Sequence, residues 1–327
     1  MEANMRWVSI TALAPVAWGA NYYVTHAYLP ADRPLYGAAL RALPAGLVLL
    51  ALCRKLPRGA WWGRAAILGL LNVSVFFVLV YAASQLLPTS VASTVMAASP
   101  VAMLLIAWAL VSERPGLAHL AGAATGLAGV CLMVLTGGES VSVPGVLASG
   151  AAMLVSAFGH ILTKRWSADV DVLASTAWQL TAGGLLLLPF AVAVEGGPPA
   201  LSGPALLAFA FTGLVATALA FVAWFTGLRH LPAGTVGLVG LLNPVTGVLL
   251  GVAVAGEALT LKQYGGLALV LLGVTLGRPR PPAAAPAARY APNDPGTRRD
   301  RASHGVRRRT PAESGDFPPP SPASGRD

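Results

Sequence analysis

The chain has 327 residues, 55% of them apolar and only 11% charged, and its mean hydropathy is +0.67. Soluble domains carry about 25% charged residues, so a water-facing globular surface for a chain of this size is excluded. The formal charge of +9 is concentrated in a tail and in loops, ten of the 22 Lys and Arg lying from Arg278 onward; it gives no argument for nucleic acid, and no nucleic-acid partner is expected.

A bilayer hydrocarbon layer of roughly 30 Å takes about 20 mostly apolar residues per helix. Such stretches run, in chain order, over 7–28, 35–52, 65–87, 89–112 and 117–136. A second set covers 144–162, 173–194, 206–228, 233–255 and 261–276. The expected fold class is therefore an all-α integral membrane protein with ten transmembrane helices. The first stretch follows Arg6 as a signal peptide would. Its length, its Trp18, Asn21 and tyrosines, and the nine spans after it make it a helix of the bundle.

Basic residues favour the cytoplasmic ends of such helices. A chain that starts inside places Arg6, Arg54, Lys55, Arg58, Arg64, Arg114, Lys164, Arg165 and Arg229 there, and only Arg33 and Lys262 outside. The expected location is the cell membrane, multi-pass, with both termini cytoplasmic. Residues 278–327 are rich in Pro, Ala, Arg and Ser and lack the apolar surface that would offset ordering, so they read as a disordered cytoplasmic tail. The runs Arg298-Arg299 and Arg307-Arg308-Arg309 offer that tail charge for anionic lipid headgroups. Cys53 and Cys131 lie far apart with no metal-ligand spacing and read as packing residues. No metal and no cofactor are expected.

The chain resembles itself at an offset of 144 positions, without gaps. Gly69 meets Gly213, Leu70 meets Leu214, and Phe77-Val78 meets Phe221-Val222. Leu87-Pro88 meets Leu231-Pro232, Pro100-Val101 meets Pro244-Val245, and Glu113 meets Glu257. Gly122 meets Gly266, and Gly129-Val130 meets Gly273-Val274. Leu and Val pairs arise by chance; two prolines, a glutamate and three glycines in one register do not. The expected domains are a first repeat over 1–137, a second over 138–277, and the tail over 278–327. Each repeat holds five helices, an odd number, so the second copy must enter the membrane upside down. Inverted repeats of this kind build secondary transporters, whose substrate sites lie near the midplane between the halves.

Over residues 7–276 the chain resembles the EamA-type transporters of the drug/metabolite transporter superfamily, which are made of two five-helix repeats. The resemblance is carried by Trp18-Gly19-Ala20-Asn21-Tyr22 and Ala38-Ala39-Leu40-Arg41-Ala42-Leu43. It continues in Ala98-Ser99-Pro100 with Ser112-Glu113-Arg114, and in Leu242-Asn243-Pro244 with Gly256-Glu257. It implies ten helices, both termini inside, and export or exchange of small metabolites such as amino acids. Family members often carry Lys a few residues after the Trp-Gly pair; this chain has His26, which makes that charge titratable.

Arg41 stands about seven residues into the second helix. A charge at that depth is disfavoured by a few kcal/mol and usually faces a cavity or a partner. It is read as a ligand for a substrate carboxylate, against snorkelling to the interface or pairing with Asp32. The expected cavity lining adds Trp18, Asn21 and Tyr22, then Asn72, Tyr81 and Ser99 from the first half. The second half adds His160, Trp178, Gln179, Trp224 and Asn243. Apolar walls with a few placed polar groups are what substrate sites use. His160 and His119 also suit simple packing. Trp7, Trp61, Trp62 and Trp166 read as interfacial. Pro100 and Pro244 each remove a backbone hydrogen bond in mid-helix, which either frees a carbonyl for substrate or only kinks the helix. Glu113 and Glu257 read as interfacial residues near helix starts, with a proton-carrying pair as the alternative. Gly122, Gly126, Gly129, Gly265, Gly266 and Gly273 suit close packing within the bundle, the alternative being a homodimer.

The leading function is a secondary transporter moving a small polar metabolite by alternating access, its partners being that small molecule and the lipid bilayer. One alternative is an intramembrane enzyme acting on a lipid-linked substrate, which needs a nucleophile with its base, a metal site or paired deep carboxylates. The spans show no H-E-x-x-H motif, no phosphate-binding loop and no central Asp or Glu. Efflux of organic cations or drugs is the other alternative; it favours a deep carboxylate, which the spans do not supply.

Overall fold

The computed structural model describes residues 2–29, 32–86, 95–134, 142–255 and 261–277. The predicted tail, Glu257 and the side chains of Tyr22 and His26 lie outside the described residues.

The described helices form ten rods. α1 is Glu2–Tyr28 and α2 is Pro34–Cys53. α3 is continuous over three segments, Trp61–Gly69, a π-helical Leu70–Val75, and Phe76–Leu86. α4 is Ser99–Val111 and α5 is Leu117–Val134. α6 is Val143–Trp166 and α7 is Val172–Glu195. α8 again has three segments, Gly203–Ala210, a π-helical Phe211–Leu219, and Ala220–His230. α9 is Ala233–Gly240 and Leu242–Ala255, joined at Leu241, and α10 is Leu261–Leu276. Five stretches are long and apolar enough to cross a membrane: Pro34–Cys53, Trp61–Ala83, Val143–Trp166, Val172–Glu195 and Gly203–His230. Shorter apolar helices are Ser99–Val111, Leu117–Leu132, Ala233–Thr246 and Tyr264–Leu276.

Local chemistry sets the helix ends. Ser142, Asp171 and Ser202 accept hydrogen bonds from the backbone N–H groups of Gly145, Leu173 and Ala205, capping α6, α7 and α8. α2 stops at Arg54 and α4 at Ser112, both in the left-handed region (φ 52° and 58°).

The outer surface is unlike that of a water-soluble protein. Large apolar side chains stand outside: Leu117 is 86% exposed, Leu207 74% and Phe190 63%. Inside are alanines and small polar groups such as Thr11, Ser74, Ser149, Thr176 and Thr212. Lipid is as apolar as leucine, so helices in it gain by close approach of small residues and by hydrogen bonds between helices.

Helix contacts cross between the halves. α2 packs on α7, α5 on α10, α1 on α8 and α9, α6 on α3 and α4, and α4 on α9. Adding five to each number from the first half, and subtracting five from each in the second, returns the same set of pairs. The glycine stripes serve this packing. A Cβ on Gly122 would stand 2.7 Å from the carbonyl oxygen of Gly273, and one on Gly273 would stand 2.6 Å from that of Gly122. Gly46 and Gly184 play the same part between α2 and α7.

The predicted inner-side residues gather at one end. Lys55 pairs with Asp171 at 3.5 Å, and Arg64 lies over Trp61 and Trp166. Arg229 donates to the Val170 carbonyl, and Lys164 pairs with Glu113. Arg33 stands at the opposite ends of α2 and α7. It donates to the carbonyls of Glu195 and Gly197 and also pairs with Asp32. There the Glu195 carboxylate accepts the N–H groups of Leu35 and Tyr36, capping α2.

Candidate functional site

A cavity lies between the halves. From the first half it is lined by Trp18 and Asn21 of α1, Arg41 of α2, Phe76, Phe77 and Val80 of α3, and Met96, Ala97, Ser99 and Met103 at α4. The second half supplies Ser156, Ala157 and His160 of α6, Phe221 and Trp224 of α8, and Gly240, Leu241, Asn243 and Pro244 of α9.

Arg41 is held at the wall rather than drawn to the surface. Its Nε donates to Thr217 Oγ1 at 2.6 Å and its Nη2 to the Ala216 carbonyl at 3.3 Å. Its guanidinium carbon lies 4.4 Å from the centroid of the Phe77 ring, a cation–π contact. The Ala216 carbonyl also accepts the indole N–H of Trp18 at 2.9 Å.

That carbonyl is available because α8 is π-helical there. In an α-helix it would accept the N–H of Ala220; instead, Ala220 donates to Val215 and Thr217. The first repeat has a π-helical turn at the equivalent place, 144 positions earlier, where a side chain rather than a carbonyl makes the contacts. The N–H of Phe76 goes to Val73 and bypasses Asn72, whose side chain donates to Thr163 and Gln179 at 3.0 and 2.8 Å. One π-helical turn thus binds α1 and α2, the other α6 and α7. π-helical turns are rare and concentrate at functional sites.

Both prolines sit at helix breaks on the cavity wall. α9 is interrupted at Leu241, and a turn at Ala97-Ala98 precedes Ser99-Pro100. Proline cannot donate to the carbonyl four residues back; those residues are Met96 and Gly240, and both line the cavity. Gly19 lets α1 approach this break: a Cβ there would stand 2.7 Å from the Asn243 carbonyl.

The remaining polar contacts are few. Trp224 donates its indole N–H to His160 Nδ1 at 3.2 Å, so that nitrogen is an acceptor and the ring carries its proton on Nε2. Asn21 Oδ1 is buried without a hydrogen-bond partner among the described residues, an uncommon condition for a buried acceptor. No Asp or Glu is among the lining residues, and no group of His, Cys, Asp and Glu at metal-binding distance exists among the described residues.

Seven of the twelve sequence-predicted residues therefore meet at one cavity: Trp18, Asn21, Arg41, Ser99, His160, Trp224 and Asn243. Four stand elsewhere. Asn72 and Gln179 are buried and joined through Thr163, the Asn72 amide N–H donating to Gln179 and Thr163 while its Oδ1 has no hydrogen-bond partner among the described residues. Trp178 lies near the basic end, donating to the Lys55 carbonyl and packed on Trp61. Tyr81 is half-buried one position past the lining residue Val80. Tyr22 is in α1, with its side chain outside the described residues. His119 bonds Thr235, and Trp7 stacks on His230. Glu113 does not serve the helix that follows it; its carboxylate accepts the N–H of Ala233 at the start of α9.

Sequence reading missed the apolar wall of Phe76, Phe77, Met103 and Phe221, together with Thr217. The match of Phe77 to Phe221 across the repeat was the available signal, since a symmetric site places equivalent residues of both halves on one cavity.

Comparison with known proteins agrees with this architecture. The model of the EamA-like transporter family matches twice, over residues 5–135 and 143–277. Protein PecM of Dickeya dadantii (strain 3937) is 33% identical over 259 residues, 79% of this chain and 87% of PecM. The inner membrane transporter YedA of Escherichia coli (strain K12) is 29% identical over 284 residues, 83% of this chain and 92% of YedA. A probable terminal-alkyne amino-acid exporter of Streptantibioticus cattleyicolor is 28% identical over 256 residues, 75% of this chain and 86% of the exporter. With two family matches that together cover most of the chain, and apolar helices to carry it in a membrane, this protein belongs to the EamA-like transporter family and is a membrane transporter rather than an enzyme.

Proposed function

We propose that the chain is a secondary transporter that exports or exchanges a small amino-acid-like metabolite by alternating access between two inverted five-helix repeats. The observation that carries the substrate class is Arg41, a guanidinium on the wall of a cavity whose other lining is aromatic, amide, hydroxyl and apolar. A guanidinium is matched to a carboxylate. The buried acceptor Asn21 Oδ1 on the same wall suits an ammonium donor, and the aromatic faces suit either a cation or an apolar side chain. A probable amino-acid exporter among the relatives points the same way. A cationic wall disfavours organic cations as cargo.

The crossed packing of the halves supports a rocking motion about the cavity, and the two helix breaks at Ala97-Ala98 and Leu241 supply compliant points on its wall. The gathering of Lys55, Arg64, Lys164 and Arg229 at one end supports a cytoplasmic placement of that end, and with it both termini inside.

The test is flux in proteoliposomes against a panel of amino acids, sugars and organic cations, with and without a pH gradient. Counterflow of an amino acid is expected, and Arg41→Ala is expected to abolish it while membrane insertion stays intact. Normal flux in Arg41→Ala would remove that residue from the site; flux of cations alone would overturn the substrate class.

A further inference from the structure

A second pocket lies along four of the helices that line the cavity, displaced toward the basic end. On α4 the cavity takes Met103, while the pocket takes Leu104 and Ala107; on α6 they take His160 and Lys164, one helical turn apart. On α8 they take Trp224 and Arg229, and on α9 Gly240 and Gly234. The layer between is filled by the buried Phe225, Leu228 and Val236.

The pocket wall is basic. Arg114, Lys164 and Arg229, with the imidazoles of His119 and His230, face a single carboxylate among the described lining residues, Glu113. That carboxylate is held on both oxygens. Oε1 lies 2.5 Å from Lys164 Nζ, and Oε2 accepts the N–H of Ala233 at 2.8 Å. Lys164 also donates to the Leu231 carbonyl at 2.7 Å. An ammonium of α6 and the N-terminus of α9, both from the second repeat, therefore form a cradle for a carboxylate. A side chain from the end of α4, in the first repeat, fills it.

We propose that this pocket is the closed basic-end mouth of the transport path and a second carboxylate site, occupied in the closed state by the protein's own Glu113. A solute carboxylate entering from the basic end takes the place of Glu113 between Lys164 and Ala233. The end of α4 then parts from α6 and α9, and the solute moves on toward Arg41. The exchange is charge for charge. Opening without a replacement anion would leave Lys164, whose side chain is 17% exposed, without its counter-charge, which disfavours opening severalfold. The mouth therefore opens to an anion and resists opening without one. This inference rests on the cavity being the transport path.

The test reads access to the cavity, not flux. Ser156→Cys is placed in a chain carrying Cys53→Ala and Cys131→Ala, reconstituted in phosphatidylcholine vesicles, and exposed to an impermeant maleimide from the basic end. Glu113→Gln is expected to raise the labelling rate about fivefold or more. Benzoate is expected to raise it comparably in the parent, the neutral benzamide to leave it unchanged, and benzoate to add nothing to Glu113→Gln. Lys164→Gln is expected to label fast and to ignore benzoate, which keeps the test decisive if Glu113→Gln folds poorly. Parent-like labelling in both variants would overturn the latch. Fast labelling in the variants with no benzoate response in the parent would overturn the carboxylate site. A response to phosphatidylglycerol in the vesicles but not to benzoate would overturn it too, assigning the cradle to lipid headgroups. Amino-acid flux with none of these responses would sink the latch alone; all of these responses with no flux of any solute would sink the transport reading alone.

Discussion

Arg41 shows how one charge is kept at depth. Thr217 fixes its Nε, the Ala216 carbonyl takes Nη2, and Phe77 covers a face. A hydrogen bond to a charged group contributes about 1.5 kcal/mol, so Thr217→Val should raise the apparent KM for flux roughly tenfold, and Thr217→Ser should restore it. A KM unchanged in Thr217→Val would show that Phe77 and the carbonyl suffice. Asn72→Leu removes the amide that bridges Thr163 and Gln179 and should cost about 1–3 kcal/mol. Thermal unfolding in detergent should show a Tm lower by several degrees, with flux per folded molecule retained. These two residues also mark where sequence reading stopped. A polar residue in an apolar span is visible at once, and Arg41, Trp18 and Asn243 were visible for that reason. Whether its partner is a neighbour or a solute is not, because the partner lies on a helix of the other repeat, 91 positions away for Thr163 and 176 for Thr217. Gln179 and Trp178 looked like cavity residues and instead serve Asn72 and the Lys55 carbonyl.

At the scale of the helices, the spacing of apolar stretches placed nearly every rod to within a few residues, since a span in lipid must be long, apolar and helical. The prolines likewise marked the turn before α4 and the break in α9. The π-helical turns left no such mark: Leu70–Val75 and Phe211–Leu219 are mostly apolar and small-residue stretches like their neighbours, and each packs against helices of the opposite half. The glycine stripes were legible as close-packing surfaces, but not as to what packs on them. With α5 against α10, Gly273→Ala would push a Cβ to 2.6 Å from a backbone carbonyl, whereas Gly265→Ala would meet only a leucine methyl at 3.5 Å. Gly273→Ala is therefore expected to lose about 2 kcal/mol or more, as overpacked sites do, and Gly265→Ala to be near neutral. Thermal unfolding of the pair in the same detergent decides it; equal losses would mean that α5 and α10 yield more easily than their contact suggests.

For the molecule as a whole, the 144-residue offset relates the two halves, and the helix contacts between them obey the same exchange. The prediction at this scale concerns sidedness. Single cysteines at Lys55 in the first repeat and Arg229 in the second should label from one face of the membrane, and a cysteine at Arg33 from the other. Labelling of all three from one face would dismantle the inverted arrangement and the shared cavity with it.

The ion pair between Glu113 and Lys164 breaks the symmetry of the repeat. At the same offset Glu113 corresponds to Glu257, but Lys164 corresponds to Ala20, so the sequence supplies no second lysine for the far gate. A partly exposed pair of this kind is worth up to about 1 kcal/mol, which tilts a two-state population roughly fivefold. On the latch proposed above, an idle molecule then waits mostly with its basic-end mouth shut. Net movement still follows the solute gradient, since a preference between empty states changes how fast each leg of the cycle runs and not where it ends.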